Sequence, residues 1–237
     1  MSTIGLQQTS AAFIEWLHRW LAELEPLQLS ALTGGRPERV AILCTDLVVG
    51  FCQRGPLASP RVARVVPANV ALFQKAHAAG VRHFVLPQDA HSPDAIEFEA
   101  YPPHCIAGSD EAETATELMA LPFSDRFTVI AKNSINPAIH TGLEAWLAAH
   151  PEVDTFIVTG DCTDICVYQL AIHLRARANA LGLTQRVALP ADCVATYDVP
   201  VNTAAELGIL PHDGDLLHAI FLYSMALNGV QVVASLI

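Results

Sequence analysis

Positive charge is scarce in this chain: 13 Lys and Arg stand against 24 Asp and Glu, a formal net charge of −11 over 237 residues. No Lys/Arg-rich run occurs, so the basic footprint that a nucleic-acid partner needs is missing. Acidity on this scale favours solubility and says little about fold. Long apolar runs are missing too. The longest candidate, near Leu216 to Met225, is broken by His218 and Ser224 and falls short of a membrane span. The opening MSTIGLQQTS has neither a basic stretch nor a long apolar run, so no secretory signal is expected. Neither a P-loop nor a G-x-G-x-x-G after an apolar run occurs, which leaves dinucleotide binding without support. Internal repeats and low-complexity tracts are likewise lacking.

What is present is apolar material: 52% of the residues are hydrophobic and 16% charged, enough for one large core in one α/β domain. The six cysteines sit in apolar or glycine-bounded surroundings, such as Cys44 in AILCTD and Cys193 in ADCVAT. They read as small core residues plus one reactive thiol in a reduced, cytoplasmic chain.

Apolar residues at helical spacing (Phe13, Leu17, Trp20, Leu21, Leu24) predict a helix over about 10–24, capped by Thr9 or Ser10. Pro26 and LTGGRPE end it, so residues 1–38 are expected to be a helical extension and linker, ahead of a main domain over 39–237. Short continuous apolar runs then recur: VAILCTD, HFVLPQD, FTVIA, TFIVTG, RVALPAD and VQVVASL. Each fits a strand buried on both faces. Helices are expected between them over about 62–79, 142–149, 165–181 and 215–227, several ending at Gly. Alternating strands and helices imply a three-layer α/β/α architecture with a mainly parallel central sheet. Reactive side chains in such sheets gather at the carboxyl ends of the strands.

Three candidates fall at such ends: Asp46 after the first strand, Lys132 at the end of the third, and Cys166 past the fourth, after GDCTDI. A carboxylate can take a thiol proton, an ammonium favours the thiolate, and a thiolate attacks a carbonyl carbon. Cys166 also opens a predicted helix with an apolar face of Val167, Leu170, Ala171, Leu174, Ala178 and Leu181. That position is expected to lower the thiol pKa and to offer free N–H groups to an oxyanion. For Cys166 taken singly, a buried inert cysteine is an equally good reading; three reactive residues at matched strand ends favour function.

The segment GDCTDICV, over 160–167, resembles the nucleophile motif of nicotinamidases, in the isochorismatase-like cysteine hydrolase superfamily. DLVVGFC from Asp46 resembles that family's D-x-x-x-x-F-C, and AYPPHCIAGSDEAE from Ala100 its aromatic-P-P-H-C segment. GFCQRGPLA and CVATYDVP are similar to the forms in plants and some bacteria. The resemblance covers most of 40–237. It implies hydrolysis of nicotinamide to nicotinate and ammonia through a cysteine thioester, a step of NAD salvage. Residue by residue, it implies Asp46 as proton acceptor, Lys132 as thiolate-stabilising cation and Cys166 as nucleophile. A cis peptide between Asp161 and Cys162 is implied as well, with an oxyanion hole from the N–H groups of Cys162 and Cys166.

Asp89 and His91 lie two apart on an extended segment and point to one side, so they can share an ion; His104 follows in PPHC. Read as residues alone, these more often belong to an ordinary polar loop. The resemblance makes Asp89, His91 and His104 ligands of a divalent ion, and carboxylate plus imidazole suits zinc, then iron or manganese. It also implies a fourth ligand, for which Glu97 is favoured over Glu99, and a ring sandwich from Phe51 and Tyr101. The expected partners are a small amide substrate and further copies of the chain. A carbamoyl or maleamate-type amide is the alternative substrate; isochorismatase-type chemistry would not need the thiol. His18, His83, His140, His150, His173, His212 and His218 show no partner pattern in the sequence and are left as surface or core residues.

Overall fold

The computed structural model describes residues 5–237; residues 1–4 of the expected extension lie outside the described residues. The strands are β1 (Val40–Thr45), β2 (His83–Asp89), β3 (Phe127–Lys132), β4 (Thr155–Asp161), β5 (Arg186–Pro190), β6 (Val194–Ala195) and β7 (Gln231–Val233). Their order is β3-β2-β1-β4-β5-β7, with β6 paired to the end of β4. Each of these pairings is parallel. The helices are α1 (Leu6–Ala22), α2 (Leu29–Thr33), α3 (Val49–Cys52), α4 (Pro60–Ala63), α5 (Val66–Ala78), α6 (Thr116–Met119), α7 (Leu143–Ala149), α8 (Cys166–Leu181), α9 (Val201–Leu207) and α10 (Gly214–Leu227).

Strand alternation builds the three layers. Val40, Ile42 and Cys44 of β1 enter a core with Leu72, Phe73 and Ala76 of α5. Their neighbours Ala41 and Leu43 enter a second core with α7, Val167 to Leu174 of α8, and Leu222 and Met225 of α10. A strand buried on both faces must be apolar at every position, which is why VAILCT reads as a continuous run.

Several boundaries differ from expectation. Helix α1 starts at Leu6 behind Gly5, without a side-chain cap; the Thr9 hydroxyl instead donates to the Leu6 carbonyl. The helix expected over 62–79 is two, because Pro67 sits at the start of α5 and the chain turns between α4 and α5. On α8, Leu181 is exposed rather than part of the buried face. Helix α9 and strand β6 were not expected; both are short, and the two residues of β6 carry no periodicity to read.

The segment ahead of β1 is tied to the chain's other end. Leu27 and Leu29 donate backbone bonds to Ser235 and Ile237, and Leu29 and Leu32 of α2 join the first core. Helix α1 packs Phe13, Trp16 and Trp20 around Tyr223 of α10, yet of its residues only Leu17 is buried.

Candidate active site

The strand order reverses direction between β1 and β4, and side chains just past those two strands border the crevice such a switch creates. Register does the rest. Thr45 pairs with Gly160 and Asp89 with Lys132, so the ends of β1, β2, β3 and β4 lie at one level. Gly160 is required there: at φ +109 a Cβ would fall 1.9 Å from the Thr45 carbonyl oxygen. No other residue lets the two strands approach this closely.

Lys132 is the hub. Its fully buried ammonium lies 2.8 Å from Asp46 Oδ2, 2.5 Å from Asp89 Oδ1 and 3.5 Å from Cys166 Sγ. Asp46 occupies a left-handed backbone conformation at φ +60, uncommon for a residue with a side chain. Its other oxygen accepts the Asp89 N–H at 2.8 Å, and Thr45 donates to Oδ2 at 2.7 Å. Carboxylate oxygens of Asp46 and Asp89 and the Cys166 sulfur all lie within 4.8 Å of one another.

Electrostatics correct one expectation. Burial pushes the Cys166 thiol well above its ordinary range, Lys132 offsets only part of that, and Asp46 and Asp89 add to it. Loss of water around the anion outweighs the lysine here. Burial and the Asp89 charge push Asp46 up as well, against Lys132. Burial also acts to raise Asp89, but Lys132 and the two histidines outweigh it and hold the carboxyl below its usual range. Lys132 stays cationic: burial disfavours its charge, and Asp46, Asp89 and Cys166 together raise it well above the lysine value.

The Asp161–Cys162 peptide is cis. Past it, the Cys162 carbonyl accepts from Ile165 and Val167 and closes the turn that presents Cys166 at the first position of α8. The N–H groups of Cys162 and Cys166 have no protein acceptor among the described residues.

Asp89 continues into a second group. Its oxygens lie 3.3 Å from His91 Nε2 and 3.8 Å from His104 Nε2, and the three donors fall within 4.8 Å of one another. His91 Nε2 is buried without a hydrogen-bond partner. The other ring nitrogens are held from behind, His91 Nδ1 by Asn133 Oδ1 at 3.2 Å and His104 Nδ1 by the Pro102 carbonyl at 2.8 Å. Carbonyl oxygens in those places take the ring protons and leave both Nε2 lone pairs aimed inward, the arrangement of metal-ligating imidazoles. Glu97 reaches within 3.8 Å of His91 Nε2, while Glu99 is exposed and makes no contact here. The donor set fits a divalent transition ion.

Phe51 and Tyr101 stand 5.5 Å and 6.3 Å from the His104 ring, with Phe98 at 5.6 Å. Asn133 and Phe98 escaped sequence reasoning because nothing in KNSI or EFEA marks them. His212 also did: its Nε2 pairs with Asp164 of the nucleophile turn at 2.8 Å, and its ring stacks on Tyr197. That contact spans 48 residues and has no local signal.

Residues 40–209 match the isochorismatase domain. The chain belongs to the isochorismatase family. Nicotinamidase 1 of Arabidopsis thaliana is 30% identical over 231 residues, 90% of this chain and 91% of that protein. Two solved structures share the fold. N-carbamoylsarcosine amidase from Thermoplasma acidophilum gives a TM-score of 0.61 at 22% identity, over 82% of this chain and 95% of that one. Pyrazinamidase of Pyrococcus horikoshii in complex with zinc gives 0.64 at 20% identity, over 82% and 98%. As a family member, the chain is an isochorismatase-like hydrolase with a mainly parallel sheet between two helical layers. No described helix is long and apolar enough to cross a membrane.

Proposed function

We propose that this hydrolase is a nicotinamidase, converting nicotinamide to nicotinate and ammonia with Cys166 as nucleophile. One observation carries the reading: Asp89 touches Lys132 of the thiol group on one side and both histidines of the metal-type group on the other. A substrate spanning the two needs a carboxamide at one end and a ring donor atom at the other, as nicotinamide has. The overall likeness to a plant nicotinamidase supports it.

Asp89, His91 and His104, with Glu97 alongside, would hold a zinc ion, or iron or manganese in its place. Such an ion supplies a Lewis acid for the pyridine nitrogen and thereby orients the ring. Phe51 and Tyr101 flank that ring. The carbonyl oxygen takes hydrogen bonds from the N–H groups of Cys162 and Cys166. As sulfur attacks the carbonyl carbon, its proton passes to Asp46; the C–N bond breaks, Asp46 returns the proton to nitrogen, and ammonia leaves a thioester. Water then attacks, Asp46 takes its proton and restores the thiol, and nicotinate departs. Burial raises both the donor, Cys166, and the acceptor, Asp46, above their ordinary values. Lys132 touches both and offsets whichever is anionic.

The test is ammonia release from a panel holding nicotinamide, benzamide, N-carbamoylsarcosine and maleamate. Nicotinamide should lead, and benzamide, without the ring nitrogen, should be poor. Preference for an open-chain amide would transfer the same thiol machinery to the carbamoyl or maleamate class.

A further inference from the structure

Strand β2 ends at Asp89 but begins at His83, six residues or about 20 Å away at roughly 3.3 Å each. Around that far end a second set of donors converges. His83, His150 just past α7, and Glu152 place one donor atom each within 4.8 Å of the others. Glu152 Oε1 lies 3.0 Å from His150 Nδ1 and 3.8 Å from His83 Nε2. Nitrogen and oxygen donors bound tetrahedrally at about 2.0–2.1 Å stand roughly 3.3 Å apart, which these separations bracket.

The frame is rigid. The His150 carbonyl accepts the Val153 N–H at 3.1 Å across a turn holding Pro151, and buried Val153 anchors its end. The Trp146 ring packs against both imidazoles, at 4.5 Å from His150 and 5.8 Å from His83. A neutral imidazole has one N–H, so its other nitrogen keeps a lone pair, and His83 Nε2 is the nitrogen that faces the carboxylate. Two rings and a carboxylate aimed at one point can share a cation. The side chains are 21%, 31% and 45% exposed, so an ion has access and a water can complete the shell.

We propose that His83, His150 and Glu152 form a second divalent transition-metal site, of the Zn2+ and Ni2+ type, at the amino-terminal edge of the sheet. It is independent of the catalytic reading. By joining the start of β2 to the α7–β4 connection, the ion clips two strand entries together and stabilises the fold by mass action.

The full-length protein is loaded with Zn2+, dialysed, and its metal counted per chain. His150→Gln and Glu152→Gln should each carry one ion fewer than the unsubstituted protein, with turnover unchanged. Ni2+ titration gives a second readout, since Trp146 is one of three tryptophans and lies against the site. Ni2+ should quench a component of the emission that Trp146→Phe lacks and Glu152→Gln no longer loses. Equal zinc content in all three proteins, or no Trp146-dependent quench, overturns the proposal.

Discussion

Replacing Lys132 with Met removes the one cation between two buried carboxylates and a buried thiol, while keeping most of the side-chain volume. Lys132 and Asp46 are fully buried and Asp89 nearly so, so water cannot take over the screening. Removing one partner of a buried pair costs about 3–5 kcal/mol, because the surviving charge is left uncompensated. In a chain of this size each kcal/mol moves the melting midpoint by about 2–4 °C, so a drop of roughly 10 °C is expected. The loss should depend on pH. Asp89 is held below the ordinary carboxylate value of 3.8, so its contribution is present above that value and lost as pH falls through its folded pKa. Lys132 is raised above 10.5, so its contribution is present below that value and lost as pH rises through its folded pKa. The deficit of Lys132→Met, measured by urea unfolding with chelator present, should be greatest near neutrality and shrink toward acid as the stranded carboxyls take up protons. Adding Asp46→Asn should recover part of it, since one uncompensated charge goes. A deficit under about 1 kcal/mol at neutral pH, or one flat from acid to base, would refute the clamp.

Cys166→Ala should abolish turnover and leave the unfolding midpoint nearly unchanged, whereas Cys44→Ala, in the first core, should cost about 1 kcal/mol and keep activity; ammonia release from clean Cys166→Ala would end the covalent mechanism. Chelation, His91→Ala and His104→Ala should each depress nicotinamide turnover strongly, and full turnover in a sample shown to be metal-free would leave these residues without a ligand role. In chelated protein, iodoacetamide should still reach Cys166, with a rate that climbs through alkaline pH because burial raises the thiol; a rate already maximal at neutrality would contradict that direction. Deleting residues through Gly34 removes Leu29 and Leu32 from the first core and uncovers Tyr223, so solubility or oligomeric state should change; identical size-exclusion profiles would show that the segment packs against nothing essential.

The sheet was legible because a strand covered on both faces, as β1, β2 and β4 are, has no choice but an apolar run; all six expected runs became strands, although β3 and β7 lie at the sheet edges with exposed positions such as Val129, and the ends of four of the six frame the site. The candidate site was legible for a related reason. Parallel strands point their carboxyl ends one way, so Asp46, Lys132 and the cysteine turn had to share an edge once the runs were recognised. What stayed hidden was whatever depends on contacts distant in sequence. Asn133 behind His91, His212 against Asp164, and the meeting of His83 with His150 and Glu152 join residues whose neighbours give no hint of a partner. The split between α4 and α5 is different in kind: Pro67 was visible, and the helical spacing across it outweighed the signal it carried.

The thiol pKa marks a deeper limit of reading chemistry from motifs. Helix start, neighbouring lysine and cysteine together suggest a thiolate held ready, yet each was read without knowing how much water the fold removes. With Cys166 only 5% exposed and two carboxylates within 4.8 Å, the anion is disfavoured at rest. The same burial raises Asp46, and this turns an apparent defect into a working arrangement. In the proposed reaction a weak acid beside a strengthened base would pass its proton as the acyl carbon arrives. Burial thus acts against a resting thiolate, the form that alkylation and oxidation need. In the proposed mechanism Lys132 would keep the charge of the group nearly constant, since the negative charge would only move from Asp46 to sulfur and back.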